Sequence, residues 1–178
     1  MGKVVLVAII VCLTALGGKA QNAAAMHKIL TTPKDSLPYR LNPVLPSFNI
    51  KLTDSATIFN TKDIPEGQPT VLMLFSPDCR HCQDIIQMLL NKMDSLSDVR
   101  FCMFSNTHNV TDIRNFSDNY HLQNYKNIIA VGQDYEFFFL THYGTRYVPD
   151  FAVYDKHNKL IKLYESSVTV TELYNATR

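Results

Sequence analysis

Val71-Leu72-Met73-Leu74-Phe75-Ser76-Pro77-Asp78-Cys79-Arg80-His81-Cys82 is the stretch on which the reading of this chain turns. Five consecutive apolar residues, Val71 to Phe75, predict a strand buried on both faces of a sheet. Ser76-Pro77-Asp78 supplies turn and helix-capping residues. Beyond Cys82, apolar residues recur at Ile85, Ile86, Leu89, Leu90 and Met93, the spacing of one helical face. The two thiols therefore stand where a strand becomes a helix. Cys79 meets the unpaired N–H groups and positive dipole end that favour a thiolate, and Cys82, one turn on, points to the core.

Downstream, Val99 to Phe104 predicts a second buried strand, which completes a β-α-β unit with a right-handed crossover. A helix over Thr111 to Tyr120, a strand over Ile128 to Val131 and an aromatic-rich helix over Glu136 to His142 form an inserted α/β section. Val148 to Tyr154 and Lys159 to Tyr164 then alternate as an antiparallel pair about the turn Asp155 to Asn158, and Thr169 to Asn175 closes the chain as a helix. Upstream, Phe48 to Leu52 and Thr57 to Phe59 flank Asp54-Ser55 as a β-hairpin. Residues 21–45, broken by Pro33, Pro38 and Pro43, read as a tether or extended arm, and residues 46–178 as one folded domain.

At 178 residues, 46% hydrophobic and 19% charged, the chain is large enough for one domain with a real core. Lys3, the apolar run Val4 to Leu16, and Gly18 and Ala20 ahead of Gln21 have the pattern of a signal peptide over residues 1–20. That run is short for a membrane span, and no other segment is apolar enough for one. Removing residues 1–20 takes Lys3 and Lys19 from the 17 Lys+Arg, leaving 15 against 16 Asp+Glu. A net charge of −1 gives no basis for nucleic acid or anionic membrane partners. Cys12 departs with the leader. Of the remaining cysteines, Cys79–Cys82 is the expected disulfide and Cys102, inside a strand, a buried inert thiol. The expected location is exported, in the periplasm.

The β-α-β unit with Cys-x-x-Cys at its first strand-to-helix turn, the inserted section, and Val148-Pro149 opening a hairpin together resemble the thioredoxin fold. More narrowly, Leu45-Pro46-Ser47-Phe48, Phe75-Ser76-Pro77-Asp78-Cys79 and Tyr147-Val148-Pro149-Asp150-Phe151 resemble the bacterial TlpA-like and AhpC/TSA-like branch, over about residues 45–178. The resemblance implies a three-layer α/β fold, a central mixed sheet flanked by helices, with an N-terminal hairpin and an α/β insertion before a cis-proline. It implies a thiol-disulfide oxidoreductase without cofactor or metal. Cys79 would be the exposed nucleophile, Cys82 the resolving thiol, Pro149 the cis-proline, and Val148 the residue whose backbone meets a substrate chain. The partners would be exported proteins with thiols or disulfides, and an upstream redox partner. Two residues depart from the thioredoxin pattern: Asp78 stands where thioredoxins have Trp, and Met73 where they have a buried Asp that takes the resolving cysteine's proton. Water or another carboxylate must then serve.

Arg80 and His81 bring positive charge to the first helical turn, which favours the Cys79 thiolate and hence the reduced form, while Asp78 opposes them. Three rival readings compete. A peroxiredoxin-like antioxidant would need a Pro-x-x-x-Thr/Ser-x-x-Cys pattern that is absent here. A Sco-like copper module would use Cys79, Cys82 and a histidine such as His142. A non-enzymatic domain would dock through the aromatics Tyr135, Phe137, Phe138, Phe139 and Tyr143.

Overall fold

In the computed structural model, which describes His27 and residues 31–178, a seven-stranded sheet runs in the order β2-β1-β5-β4-β3-β6-β7. Its strands are β1 (Asn49–Leu52), β2 (Ile58–Asn60), β3 (Thr70–Leu74), β4 (Arg100–Ser105), β5 (Ile128–Gln133), β6 (Asp150–Tyr154) and β7 (Leu160–Glu165). The helices are α1 (Pro38–Leu41), α2 (Arg80–Leu90), α3 (Val110–Asn119), α4 (Phe138–Tyr143) and α5 (Val170–Ala176). β3, β4 and β5 are parallel, and β6, β7 and the β1–β2 hairpin add antiparallel at the two sides. The sheet is mixed, as expected. Residues 1–20 and Cys12 lie outside the described residues.

The apolar run of β3 is buried along its whole length because both faces of the sheet are covered. Val71, Met73 and Phe75 share one cluster with Ile85, Ile86 and Leu89 of α2, Ile113 and Phe116 of α3, and Leu173 of α5. Leu72 and Leu74 point the other way, into a cluster with Phe139, Leu140 and Tyr143 of α4. The hairpin docks on β5 where Leu52 pairs with Gly132. A Cβ at Gly132 would collide with the backbone carbonyl of Lys51, so this approach requires glycine.

Two features differ from the sequence reading. The aromatic-rich helix begins at Phe138 rather than Glu136, because the Asp134 carboxylate accepts the N–H groups of Phe138 at 2.9 Å and Phe139 at 2.8 Å. Phe137 ahead of it sits in the left-handed region at φ 55°. Its aromatics are no docking patch: Phe137, Phe139 and Tyr143 are core, and of the group only Tyr135 is exposed. The packed body also reaches back beyond Pro46. Leu37 is buried against Gly144, the Tyr39 ring lies 5.8 Å from that of Tyr143, and Val44 bridges Lys159. The prolines exclude neither burial nor a short helix, since Pro38 stands at the start of α1, where its missing N–H has no intrahelical partner to lose.

Candidate active site

Cys79 is the N-cap of α2, with extended backbone at φ −83° and ψ 107°. Its Sγ accepts the N–H of Cys82 at 3.3 Å, one of the donors that the first turn of a helix leaves unpaired. The cap is therefore sulfur, where helices ordinarily use a hydroxyl or carboxylate. Cys79 is half-buried and Cys82 wholly buried, as the helical phase requires, and both are free thiols.

Burial, reinforced by the neighbouring Cys79 sulfur, pushes the Cys82 thiol well above its ordinary range. It shares its apolar cluster with Met73, Phe75 and Phe151, on the same side of the sheet. The buried Asp150 is no substitute for the carboxylate missing at Met73. Alternation along β6 turns Asp150 with Ala152 and Tyr154 to the opposite face, where its Oδ2 accepts the Thr145 hydroxyl at 2.6 Å. Burial pushes the Asp150 carboxyl up to about 7.

The Val148–Pro149 peptide bond is cis, and the Val148 carbonyl lies 3.9 Å from Cys79 Sγ across the sequence gap of 69 residues. The Cys79 thiol and the cis-proline segment thus meet at the ends of adjacent strands, since β3 and β6 pair directly.

The two residues between the cysteines are both engaged away from sulfur. Arg80 Nε pairs with Asp84 Oδ1 at 3.1 Å, one turn along the exposed side of α2. His81 Nε2 lies 2.6 Å from the carbonyl oxygen of Ser166, in the corner between β7 and α5. A carbonyl only accepts, so Nε2 carries the hydrogen. Asp78 is exposed beside them. This Ser166 contact was invisible in the sequence, because it joins residues 85 apart through a backbone atom.

Cys102 is fully buried on β4, on the α4 face with Leu72 and Phe104, and burial pushes its thiol up to about 12. His142, which a copper site would need near the sulfurs, packs on that same face with its ring 5.0 Å from Phe138. Among the described residues, no group of three His, Cys, Asp or Glu side chains is placed to hold a metal ion. No described helix is long and apolar enough to cross a membrane.

No family model matches the chain, and no curated protein matches its sequence. Solved structures do. DsbF of Mycobacterium tuberculosis, solved in mixed oxidized and reduced forms, is 21% identical with a TM-score of 0.59, over 72% of this chain and 91% of that one. A secreted disulfide oxidoreductase of the same organism, homologous to E. coli DsbE, is 18% identical with a TM-score of 0.58, over 72% and 92%. The exposed lipoprotein thioredoxin Etrx1 of Streptococcus pneumoniae is 20% identical with a TM-score of 0.56, over 73% and 96%. With the mixed sheet, the thiol-capped helix and the cis Val148–Pro149 bond, these likenesses establish that the chain has the thioredoxin-like fold.

Proposed function

We propose that the chain is an exported thiol-disulfide oxidoreductase that exchanges a Cys79–Cys82 dithiol/disulfide with protein substrates. The observation that carries this reading is the half-buried Cys79 Sγ at a helix N-cap, 3.3 Å from the Cys82 N–H and 3.9 Å from the Val148 carbonyl. An N–H aimed at the sulfur meets the charge of a thiolate, and the carbonyl beside it offers a substrate backbone an acceptor. Export is supported by the leader pattern of residues 1–20; the M. tuberculosis oxidoreductase described as secreted and the pneumococcal lipoprotein are precedents on the same fold.

The reaction runs in two displacements. The Cys79 thiolate attacks one sulfur of a substrate disulfide, forming a mixed disulfide and releasing the other substrate sulfur as a thiolate. Cys82 then loses its proton to water, and its thiolate attacks Cys79 Sγ, forming the Cys79–Cys82 disulfide and expelling the second substrate thiolate. The protein is oxidised by two electrons, and the substrate disulfide becomes two thiols. Run backward, the same steps oxidise a substrate dithiol. Arg80, His81 and Asp78 make no hydrogen bond to either sulfur, so in this reading they bias the equilibrium through charge and through the seating of α2.

Equilibration of the protein with glutathione and its disulfide tests the reading. The expected product is a Cys79–Cys82 disulfide, with catalysed reduction of insulin that Cys79→Ser abolishes and a mixed disulfide that Cys82→Ser accumulates. A pair that stays reduced throughout, or insulin reduction no faster than dithiothreitol alone, would sink it.

A further inference from the structure

A groove of about 700 Å³ opens beside the candidate active site, beginning at Pro77 and Asp78 and running between α2 and α3. One wall is a stripe of α2, Gln83 and Gln87, and the other a stripe of α3, Asp112, Asn115 and Asn119. Each set repeats at helical spacing, so each projects from one face. From Gln83 to Leu90 the α2 wall rises about 10 Å, room for roughly three residues of extended chain.

The chemistry of this groove is specific. Asp78 and Asp112 are the carboxylates along it, and no lysine or arginine lines it. Of the cations nearby, Arg80 pairs with Asp84 and Arg114 reaches the hairpin, donating to the Thr53 carbonyl at 2.7 Å and Ser55 Oγ at 2.9 Å; His121 lines the far end of the groove, with Lys126 next to Tyr125 there. The Asn115 and Asn119 amides have no side-chain hydrogen bond to any described residue, and Gln83 uses only its Nε2, on the Pro77 carbonyl at 2.9 Å. Free amides offer both a donor and an acceptor, as a peptide main chain requires. Tyr120, stacked on the buried Phe116 with centroids 4.5 Å apart, adds an aromatic surface suited to the stem of a long basic side chain.

We infer that the groove seats the substrate polypeptide beside Cys79 and selects an extended segment that carries Lys or Arg within a few residues of the reacting cysteine. The inference rests on the oxidoreductase reading and names its substrate class. Its basis is charge complementarity together with continuity, since the groove starts at the residue adjoining Cys79.

The test uses two single-cysteine peptides, identical except for Lys or Glu two positions from the cysteine, each presented to the reduced protein as its mixed disulfide with glutathione. Cys79 attacks the peptide sulfur and expels glutathione thiolate; Cys82 then displaces the peptide thiolate, so the protein disulfide forms as the peptide disulfide is reduced to two thiols. At low ionic strength the Lys peptide is expected to react roughly tenfold faster, with the ratio falling towards one as salt is raised. Asn119→Lys sits exposed at the last residue of α3, where a cation suits the helix dipole. It is expected to lower the ratio severalfold, and the Asn115→Lys, Asn119→Lys double variant to bring it below one. A wild-type ratio near one, or a ratio the variants leave unchanged, would overturn the groove while glutathione disulfide still oxidises the pair. Failure of glutathione disulfide itself to react would overturn the oxidoreductase reading as well.

Discussion

His81 Nε2 donates to the carbonyl oxygen of Ser166 at 2.6 Å, so the ring between the two cysteines anchors the start of α2 to the corner that joins β7 to α5. Ser166 holds that corner in the left-handed region at φ 64°. We predict that His81→Ala loses about 0.5–1 kcal/mol of stability, the net worth of one solvent-exposed hydrogen bond. His81→Gln, whose amide also donates, should recover part of it. Urea unfolding of the reduced proteins reads the difference, and equal midpoints for all three would show that the anchor contributes nothing.

Asp150 and His142, on the face of the sheet remote from the sulfurs, titrate with opposite linkage, and burial raises the Asp134 carboxyl at the head of α4 in the same direction as that of Asp150. Burial raises Asp150 from 3.8 to about 7, so its contribution to stability is complete below the lower value and lost as pH rises through the upper. Burial lowers His142 from 6.5 to about 4, so its contribution is complete above 6.5 and lost as pH falls through 4. Between pH 4 and 6.5 the two slopes oppose each other. Asp150→Asn should unmask a loss of stability towards acid, and His142→Phe a loss towards alkali, each on the order of 1.4 kcal/mol per pH unit at most. His142→Phe also removes a buried Nε2 that has no partner, and keeps the stacking on Phe138. Denaturant titrations at pH 5 and pH 8 are the measurement; parallel curves for both variants and wild type would refute the assignment.

Resolution of the mixed disulfide should be the step that follows pH. Cys82 is held as a thiol by burial, within an apolar cluster that includes Met73. Its thiolate fraction therefore rises tenfold for each pH unit below its pKa, and the rate of protein disulfide formation should rise with it from pH 6 to 9. Single-turnover reaction with glutathione disulfide, quenched in acid, separates this step from the first. A plateau beginning below pH 7 would reveal a proton acceptor for Cys82 and refute the prediction.

Gly144 ends α4 at φ 71°, and a Cβ there would stand 2.7 Å from Leu37 Cδ1. Gly144→Ala thus combines a left-handed alanine with an overpacked contact, and should cost about 1–3 kcal/mol. The double variant with Leu37→Ala should lose less than the sum of the single losses, because the smaller side chain relieves the clash. Additive losses in thermal or urea unfolding would show that the two positions do not touch.

Much of this architecture was legible because its signals are local. The uninterrupted run of β3, the 3.6-residue spacing after Cys82 and the alternation of β1 each name an element without outside help. The boundary at Phe138 was not, since it depends on which backbone amides Asp134 captures, and the burial of Leu37 depends on a glycine more than a hundred residues away. Within the site, the exposure difference between Cys79 and Cys82 follows from helical phase alone. The partners of Arg80 and His81 do not: charge in the sequence pointed both at sulfur, whereas Asp84 and Ser166 receive them. The stripe Asp112, Asn115, Asn119 stood in the sequence as the polar side of a helix, and acquires meaning only from what stands across from it.

The segment that crosses the outer end of β7 has one more effect. Pro43 accepts the Leu160 N–H and Leu45 donates to the Asn158 carbonyl, each at 2.7 Å, so the polypeptide occupies part of its own open flank. Unpaired strand edges are where foreign chains add. A fragment begun at Pro46 would lose this self-made guard, and stickiness, rather than any change in sulfur chemistry, would be its first symptom.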